Sequence, residues 1–109
     1  MREIVLDTET TGLSPKKGDR IVEIGCVELV NHLPTGKCFH EYINPERDMP
    51  KKAQEVHGLS ESFLAEKPIF SDILEAFDGF IGSSPLIIHN AEFDMSFLNW
   101  ERKRLNLEL

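Results

Sequence analysis

Two short apolar runs, each stopped by a polar cluster, constrain the fold of this chain more than any other feature. Residues 4–6 end at the acidic segment 7–9, and residues 86–88 end at His89 and Asn90. Continuous apolar runs of this length are typical of strands that are buried on both faces. We therefore predict two buried strands, one near each end of the chain, each followed at once by polar side chains.

An amphipathic helix is predicted between these two runs. Its apolar positions recur at i, i+1, i+4, i+7 and i+8, behind a cap at Ser71 and before the breaker at residues 82–85. The apolar positions are Ile73, Leu74, Phe77, Phe80 and Ile81. A strand, a helix and a second strand in succession form a crossover, so the last strand should lie parallel to one of the earlier strands.

The first half of the chain is predicted to form a three-strand antiparallel meander. Residues 21–30 are rich in branched side chains, as strands are, and follow the turn-rich stretch 10–19. Residues 38–43 form the next strand, and the connection at 31–36 contains Pro and Gly, which suits a hairpin. Together with residues 4–6 and the crossover strand, these segments predict a mixed α/β fold.

The second half is predicted to be mainly helical. Pro50 can open a short helix that Gly58 closes, and Ser60 can cap a second helix that Pro68 ends. A final helix should start near Asn90 and carry one apolar stripe. The stripe consists of Phe93, Phe97 and Trp100.

The charge of the chain restricts how it could meet nucleic acid. Twelve Lys and Arg against nineteen Asp and Glu give a net charge of −7, which argues against a broad basic binding face. An acidic chain can still act on phosphates where metal ions supply positive charge. No apolar run approaches the length of about 18 residues that a membrane span needs, no export signal is visible, and the two cysteines have no metal-binding spacing. We expect a cytoplasmic protein that does not enter a membrane.

Asp7 and Glu9 form the first candidate site. They are two residues apart, so strand geometry points both carboxylates to the same face. Two carboxylates held together cost free energy unless a cation, a proton or an arginine compensates, and hard oxygen ligands suit Mg²⁺ or Mn²⁺. The alternative is a solvated strand end that leads into an ordinary turn.

The second candidate site spans the end of the last strand and the start of the last helix. Asn90 could cap that helix, with Glu92 and Asp94 in a first turn that favours acids, but this does not account for His89. Ligands in such sheets collect beyond the carboxyl ends of parallel strands, so Asp94 should face the same crevice as the first pair of acids. Taken alone, His57 reads as an ordinary residue at a helix end.

Four segments, in this order, resemble the DnaQ-like (DEDD) 3′–5′ exonucleases. They are residues 5–13 (VLDTETTGL), 20–25 (RIVEIG), 56–59 (VHGL) and 89–94 (HNAEFD). Within that family they are most similar to the proofreading exonucleases that accompany bacterial replicative polymerases. The resemblance implies a ribonuclease H-like fold and the removal of nucleotides from single-stranded or frayed DNA 3′ ends by two-metal hydrolysis. An RNA-trimming enzyme of the ribonuclease T type and a noncatalytic interaction module are the alternatives.

The resemblance also implies roles for individual residues. Asp7 matches the carboxylate that bridges two divalent ions, Mg²⁺ or Mn²⁺, Glu9 matches a ligand of one of them, and Asp94 matches a residue that reaches the other. The implied nucleotide-binding residues are Thr10, Gly12, Leu13, His57, His89, Asn90 and Phe93. Many relatives have an acidic residue five positions before the His57 equivalent, whereas this chain has Lys52, which puts a sugar contact there in doubt.

One motif of the family is missing. The family carries a third motif, a His that acts as general base and an Asp that binds metal, and this chain ends at Leu109 before reaching it. We therefore expect residues 1–109 to be the N-terminal part of a single exonuclease domain, truncated at its C-terminus, with little or no activity alone. We also expect a polymerase to bind through a segment beyond Leu109, and apolar surface to be exposed along the crossover strand and the helix bearing Phe97 and Trp100.

Overall fold

The computed structural model describes residues 1–105. The strands are β1 (Arg2–Thr10), β2 (Ile21–Val30), β3 (Leu33–Tyr42) and β4 (Leu86–Ile87). The helices are α1 (Lys51–His57), α2 (Glu61–Leu64), α3 (Phe70–Ile81) and α4 (Ala91–Arg104), and a 3-10 turn covers Pro15–Lys17. No helix within residues 1–105 is long and apolar enough to cross a membrane.

The four strands form one mixed sheet in the order β3-β2-β1-β4. The first three strands are antiparallel neighbours. The crossover through α3 returns the chain to β4, which pairs in parallel with β1 through Ile4 opposite Leu86 and Val5 opposite Ile87. The predicted meander with a parallel crossover strand is confirmed.

Only one face of the sheet is covered by helices within the described residues. Ile4 and Leu6 pack under α3 and α4, but Val5 is 37% exposed and Ile87 is 42% exposed. The prediction that both apolar runs are buried on two faces is therefore wrong. It is wrong because β1 alternates inward and outward up to Thr10, which also places the segment 7–9 inside the strand rather than beyond its end. We call the uncovered side the open face; on β1 it carries Val5, Asp7 and Glu9.

The hairpin between β2 and β3 is tighter than predicted. Asn31 and His32 alone form the turn, with φ of 52° and 68°, as two-residue hairpin loops require. Pro34 and Gly36 lie inside β3 instead of in the connection. An edge strand tolerates both, because its outer side has no ladder partner, and the register of the two strands shifts at this point.

The helical segments start and end largely where the sequence indicates. Gly58 closes α1 in the left-handed region, with φ of 76°, and the Ser60 hydroxyl accepts a hydrogen bond from the Phe63 backbone N–H. Two boundaries differ from the predictions. α2 stops at Leu64, before Pro68 is reached, and α3 begins one residue before Ser71, where the Ile69 N–H donates to the Asp72 carboxylate at 3.3 Å.

The helix α4 forms where it was predicted, with Asn90 at its N-cap, but its apolar stripe does not face solvent. Phe97 is fully buried and Trp100 is partly buried under the side chains of Lys103 and Arg104. The expected exposed apolar surface is therefore found on β4 and not on α4.

Candidate active site

The acidic residues from the two ends of the chain converge. Asp7 and Glu9 project from the open face of β1, and Asp94 lies in the first turn of α4, with 5% of its surface exposed. Burial raises the pKa of the Asp94 carboxyl, the neighbouring Thr8 lowers it, and the charge of Asp7 raises it further. None of the salt bridges formed within residues 1–105 involves these three carboxylates.

Glu9 is at the centre of this negative cluster. Burial is the largest cause that raises the pKa of Glu9, and the charge of Asp7 follows, while His57 lowers it. Glu23 and Asp94 raise it further. A carboxylate that is repelled from several sides binds a proton more readily and gains from any cation that enters.

Glu23 is a member of the cluster that sequence reasoning missed. It lies directly opposite Glu9 in the antiparallel pairing of β1 and β2, and its carboxylate is 2.5 Å from Nε2 of His40 on β3. Gly25 faces Asp7 in the same pairing, and its missing side chain leaves a small cavity of about 160 Å³ between the acids. The alternation of buried and exposed side chains in the RIVEIG segment could have identified Glu23, but only with the register of β2 against β1 known.

The carboxylate ligands suit a hard divalent cation chemically, but the side chains are too far apart to coordinate one. Carboxylate oxygens are the ligands that Mg²⁺ and Mn²⁺ prefer, and no salt bridge within residues 1–105 neutralises these three. Within residues 1–105, however, no three acidic, His or Cys side chains are grouped tightly enough to hold an ion. Metal binding would therefore draw the carboxylates together.

Next to Glu9 lies a cavity of about 470 Å³, a size that suits a small ligand. Its walls come from the segment after β1, from α1 and from α4. The lining residues are Thr8, Glu9, Thr10, Thr11, Gly12, Leu13, Asp19, Pro50, Lys52, Ala53, Val56, His57 and Phe93. Five of the seven expected nucleotide-binding residues therefore line one cavity.

The other two do not. His89 and Asn90 are exposed and line neither cavity, and the Asn90 side chain makes no capping hydrogen bond. Both precede α4 on the turn that follows β4, so the helix directs Phe93 and Asp94 inward and leaves these two residues outside.

His57 joins α1 to the end of β1. Its Nε2–H donates to the Thr10 carbonyl oxygen at 3.1 Å, and its Nδ1 accepts from the Leu59 N–H at 3.0 Å. The second contact requires a lone pair on Nδ1, which places the proton of the neutral ring on Nε2. The ring is thus held in one orientation on the cavity wall.

The segment between β1 and β2 is held by the carboxylate of Asp19. It accepts hydrogen bonds from the Thr11 hydroxyl, the Ser14 N–H and the Arg47 guanidinium. A Cβ on Gly12 would lie 2.5 Å from Asp19 Oδ2, so only glycine allows this approach. Because Arg47 belongs to the segment before α1, one carboxylate fixes both the loop wall and the helix wall of the cavity.

A buried ion pair places α4 against the start of β2. The Arg20 guanidinium donates to both oxygens of Glu101, at 2.8 and 2.7 Å, and Glu101 is 1% exposed. This pair connects the segment that carries Gly12 and Leu13 to the helix that carries Asp94.

The exonuclease family model matches residues 4–109, so the chain belongs to the exonuclease family. Members of this family generally depend on divalent metal ions.

The relatives include proteins named DNA polymerase III subunit epsilon. The protein of Rickettsia prowazekii is 61% identical over 101 residues, covering 93% of this chain and 44% of its own length. The protein of Rickettsia conorii is 57% identical, covering 100% and 49%. The resemblance to DnaQ-like exonucleases is confirmed, and the chain spans about half the length of these curated relatives.

Solved structures show the same fold. Exonuclease X in complex with 5′ overhanging duplex DNA is 28% identical, with a TM-score of 0.73 over 87% of this chain and 52% of that one. The nuclease domain of 3′hExo, a DEDDh family member bound to rAMP, is 19% identical, with a TM-score of 0.82 over 98% and 60%. These neighbours confirm a ribonuclease H-like exonuclease fold.

Proposed function

We propose that this chain is the N-terminal part of a single 3′–5′ exonuclease domain that removes nucleotides from DNA 3′ ends by two-metal phosphodiester hydrolysis. One observation carries the proposal: Asp7, Glu9 and Asp94 lie beside a cavity of about 470 Å³, and no salt bridge among residues 1–105 neutralises them. A carboxylate cluster explains how a chain of net charge −7 could act on a phosphodiester.

Asp7, Glu9 and Asp94 are the residues that would hold two Mg²⁺ or Mn²⁺ ions. When bound, such ions lower the pKa of a water nucleophile and stabilise the charge that develops on the phosphate. The protein's part is to present three carboxylates that such ions can draw together. These 109 residues contain no match to the family's third motif, which supplies a proton acceptor, so the isolated chain should bind metal weakly and hydrolyse DNA very slowly or not at all.

The cavity would hold the terminal nucleotide. Phe93 offers a ring for stacking, Leu13 is 85% exposed at the rim, and His57 is fixed on the opposite wall by its contact with Thr10. A stacking pocket accepts any base, which suits an enzyme that removes whichever nucleotide is terminal. Lys52 also lines the cavity, so a carboxylate contact to the sugar at that position is absent from this chain.

The relatives support the DNA substrate and the replicative setting. Those at 57–61% identity are named as subunits of DNA polymerase III, and Exonuclease X was solved with duplex DNA that has a 5′ overhang. By extension, the whole protein would act on a single-stranded or frayed 3′ end. It would accompany the catalytic subunit of a replicative polymerase.

Isothermal titration tests the metal site directly. Mg²⁺ and Mn²⁺ are titrated into the parent chain, into Asp7→Asn, and into Glu75→Gln as a control, because Glu75 is exposed on α3. At an ion concentration of 100 times Kd, bound metal should raise the free energy of unfolding of the parent and of the control by about 2.7 kcal/mol. If Asp7→Asn binds Mg²⁺ and Mn²⁺ as tightly as the parent chain does, the proposed metal site is wrong.

Substrate class is tested on the full reading frame that includes residues 1–109. Matched DNA and RNA oligonucleotides are incubated with Mg²⁺, and released 5′-mononucleotides are counted. Preference for RNA would indicate a trimming enzyme of the ribonuclease T type, and no release from either would indicate a noncatalytic module.

A further inference from the structure

A cluster of aromatic and basic side chains continues the open face beyond the acidic residues, at the edge strand β3. Tyr42 on β3 lies 5.0 Å from Phe63 on α2, ring centre to ring centre, in an edge-to-face arrangement. The Lys67 ammonium sits 4.5 Å from the Phe63 ring centre and 5.8 Å from that of Tyr42. We call these three residues the aromatic-lysine patch; the proposed hydrolysis does not use them.

The patch continues the acidic cluster across the sheet. Glu9 is opposite Glu23, and Glu23 is in turn opposite Tyr42. Neighbouring strands are about 4.8 Å apart, so Tyr42 lies roughly 10 Å from Glu9. Phe63 extends the line by a further ring. The acids and the patch therefore follow one another along the open face, and the cavity adjoins the acids at Glu9.

Backbone hydrogen bonds fix the patch in place. The Asn44 N–H donates to the Pro68 carbonyl oxygen at 2.8 Å and its side-chain amide donates to the Ala65 carbonyl oxygen at 3.3 Å. These contacts hold the segment after α2 against the end of β3. The rings are therefore ordered before any ligand arrives, which lowers the entropic cost of binding.

The exposure of the patch suits a ligand of both apolar and anionic character. Phe63 is 41% exposed. Within residues 1–105, Lys67 forms no salt bridge and the Tyr42 hydroxyl makes no hydrogen bond, so one cation and one donor are left for an incoming group. Aromatic rings that bind bases, next to a cation that binds phosphate, are typical of surfaces for single-stranded nucleic acid.

We propose that the aromatic-lysine patch binds the single strand upstream of the terminal nucleotide, with bases stacked on Tyr42 and Phe63 and a phosphate at Lys67. This inference rests on the proposed function, because it takes the cavity as the site of the terminal nucleotide. The patch would guide an unpaired strand across the acidic cluster and make affinity depend on the length of single strand available.

The test compares affinities for thymidine 5′-monophosphate and for oligothymidylates of two, four and six nucleotides with a phosphorothioate at the terminal linkage. Titrations with Mg²⁺ are done on the parent chain, Phe63→Leu, Phe63→Trp and Lys67→Gln. Lys37→Gln is the matched control, because Lys37 is an exposed lysine nearer the other end of β3.

The parent should bind the six-nucleotide strand more tightly than the mononucleotide. Phe63→Leu should reduce this gain about five- to tenfold and leave mononucleotide affinity unchanged, while Phe63→Trp should restore it. Lys67→Gln should lower the slope of affinity against salt by about 0.7, and Lys37→Gln should not.

Two results separate the inference from the function on which it rests. If the length-dependent gain persists in Phe63→Leu, or if the parent shows no such gain, the patch does not bind the strand, whatever the cavity does. If the mononucleotide does not bind but the oligonucleotides bind through Phe63 and Lys67, the assignment of the cavity fails and the patch stands.

Discussion

Replacing Glu101 by alanine should destabilise the molecule more than any exposed substitution, because it leaves the Arg20 guanidinium without its partner. Glu101 is 1% exposed, accepts both hydrogen bonds from Arg20, and also accepts from the Ile21 N–H at 3.3 Å. Removing one member of a buried ion pair typically costs about 3–5 kcal/mol.

The expected loss lies at the lower end of that range. The Arg20 side chain retains 19% exposure, so water can solvate part of the guanidinium after the change. Arg104, 3.4 Å from Glu101, also loses a neighbour but keeps its hydrogen bonds to the carbonyl oxygens of Pro15 and Asp19. We expect a loss of about 3 kcal/mol, which for a domain of this size corresponds to a fall in Tm of about 12 to 24 °C.

Urea unfolding followed by circular dichroism measures the free energy of unfolding. Glu75→Ala on the exposed side of α3 is the control and should change it by less than about 0.5 kcal/mol. The double variant Arg20→Met with Glu101→Met should lose less than Glu101→Ala, because no buried charge is left unpaired. A loss below about 1 kcal/mol for Glu101→Ala would refute the reasoning that this pair fixes α4 against β2.

Three further measurements test the site and the core of the sheet. The folded state holds the pKa values of Glu9 and Asp94 above their ordinary range, so it binds more protons than the unfolded chain. The free energy of unfolding should therefore fall as pH rises from about 4 through the raised pKa values. Asp94→Asn should flatten that slope and stabilise the metal-free chain at neutral pH. If the slope is unchanged in this variant, the raised pKa is wrongly assigned to Asp94. Phe93→Ala should weaken mononucleotide binding several-fold without abolishing metal binding, and equal affinity would exclude Phe93 from the pocket. Burial raises the pKa of the Cys26 thiol to about 12, whereas Cys38 is exposed. A thiol reagent should therefore label one cysteine per native chain and two in urea. Rapid labelling of both cysteines in the native chain would show that Cys26 on β2 is not buried.

The order of the secondary structure could be read from local patterns, whereas its tertiary surroundings could not. The helical spacing over α3 and the αL glycine after α1 are set by residues close in sequence, and both were predicted. Residues 4–6 were assigned to a strand buried on two faces because three apolar residues cannot reveal an alternation that only the longer strand shows. Pro34 and Gly36 suggested a loop because both residues are common in turns. Their place inside an edge strand follows from the pairing of β3 with β2, which the local sequence does not show.

The same limit applies to the site. The topology of the crossover was sufficient to bring Asp94 to Asp7 and Glu9, because parallel neighbours end at the same edge of a sheet. Glu23 was not predicted because its position opposite Glu9 depends on the register of the hairpin, which no local motif sets. The role of Asp19 as the anchor of two cavity walls depends on Arg47, 28 residues away, and was equally invisible.

The distribution of arginines shows why the carboxylates remain available for metal. All five arginines of the chain contact carboxylates or carbonyl oxygens that hold the fold together: Arg2, Arg20, Arg47, Arg102 and Arg104. Within the described part of the chain, residues 1–105, none of their salt bridges reaches Asp7, Glu9 or Asp94, and these carboxylates repel one another inside the folded molecule. An arginine within reach would relieve that repulsion and compete with a dication for the same oxygens. A site that must bind metal thus requires the fold to place its permanent cations elsewhere, at some cost in stability that metal binding would offset.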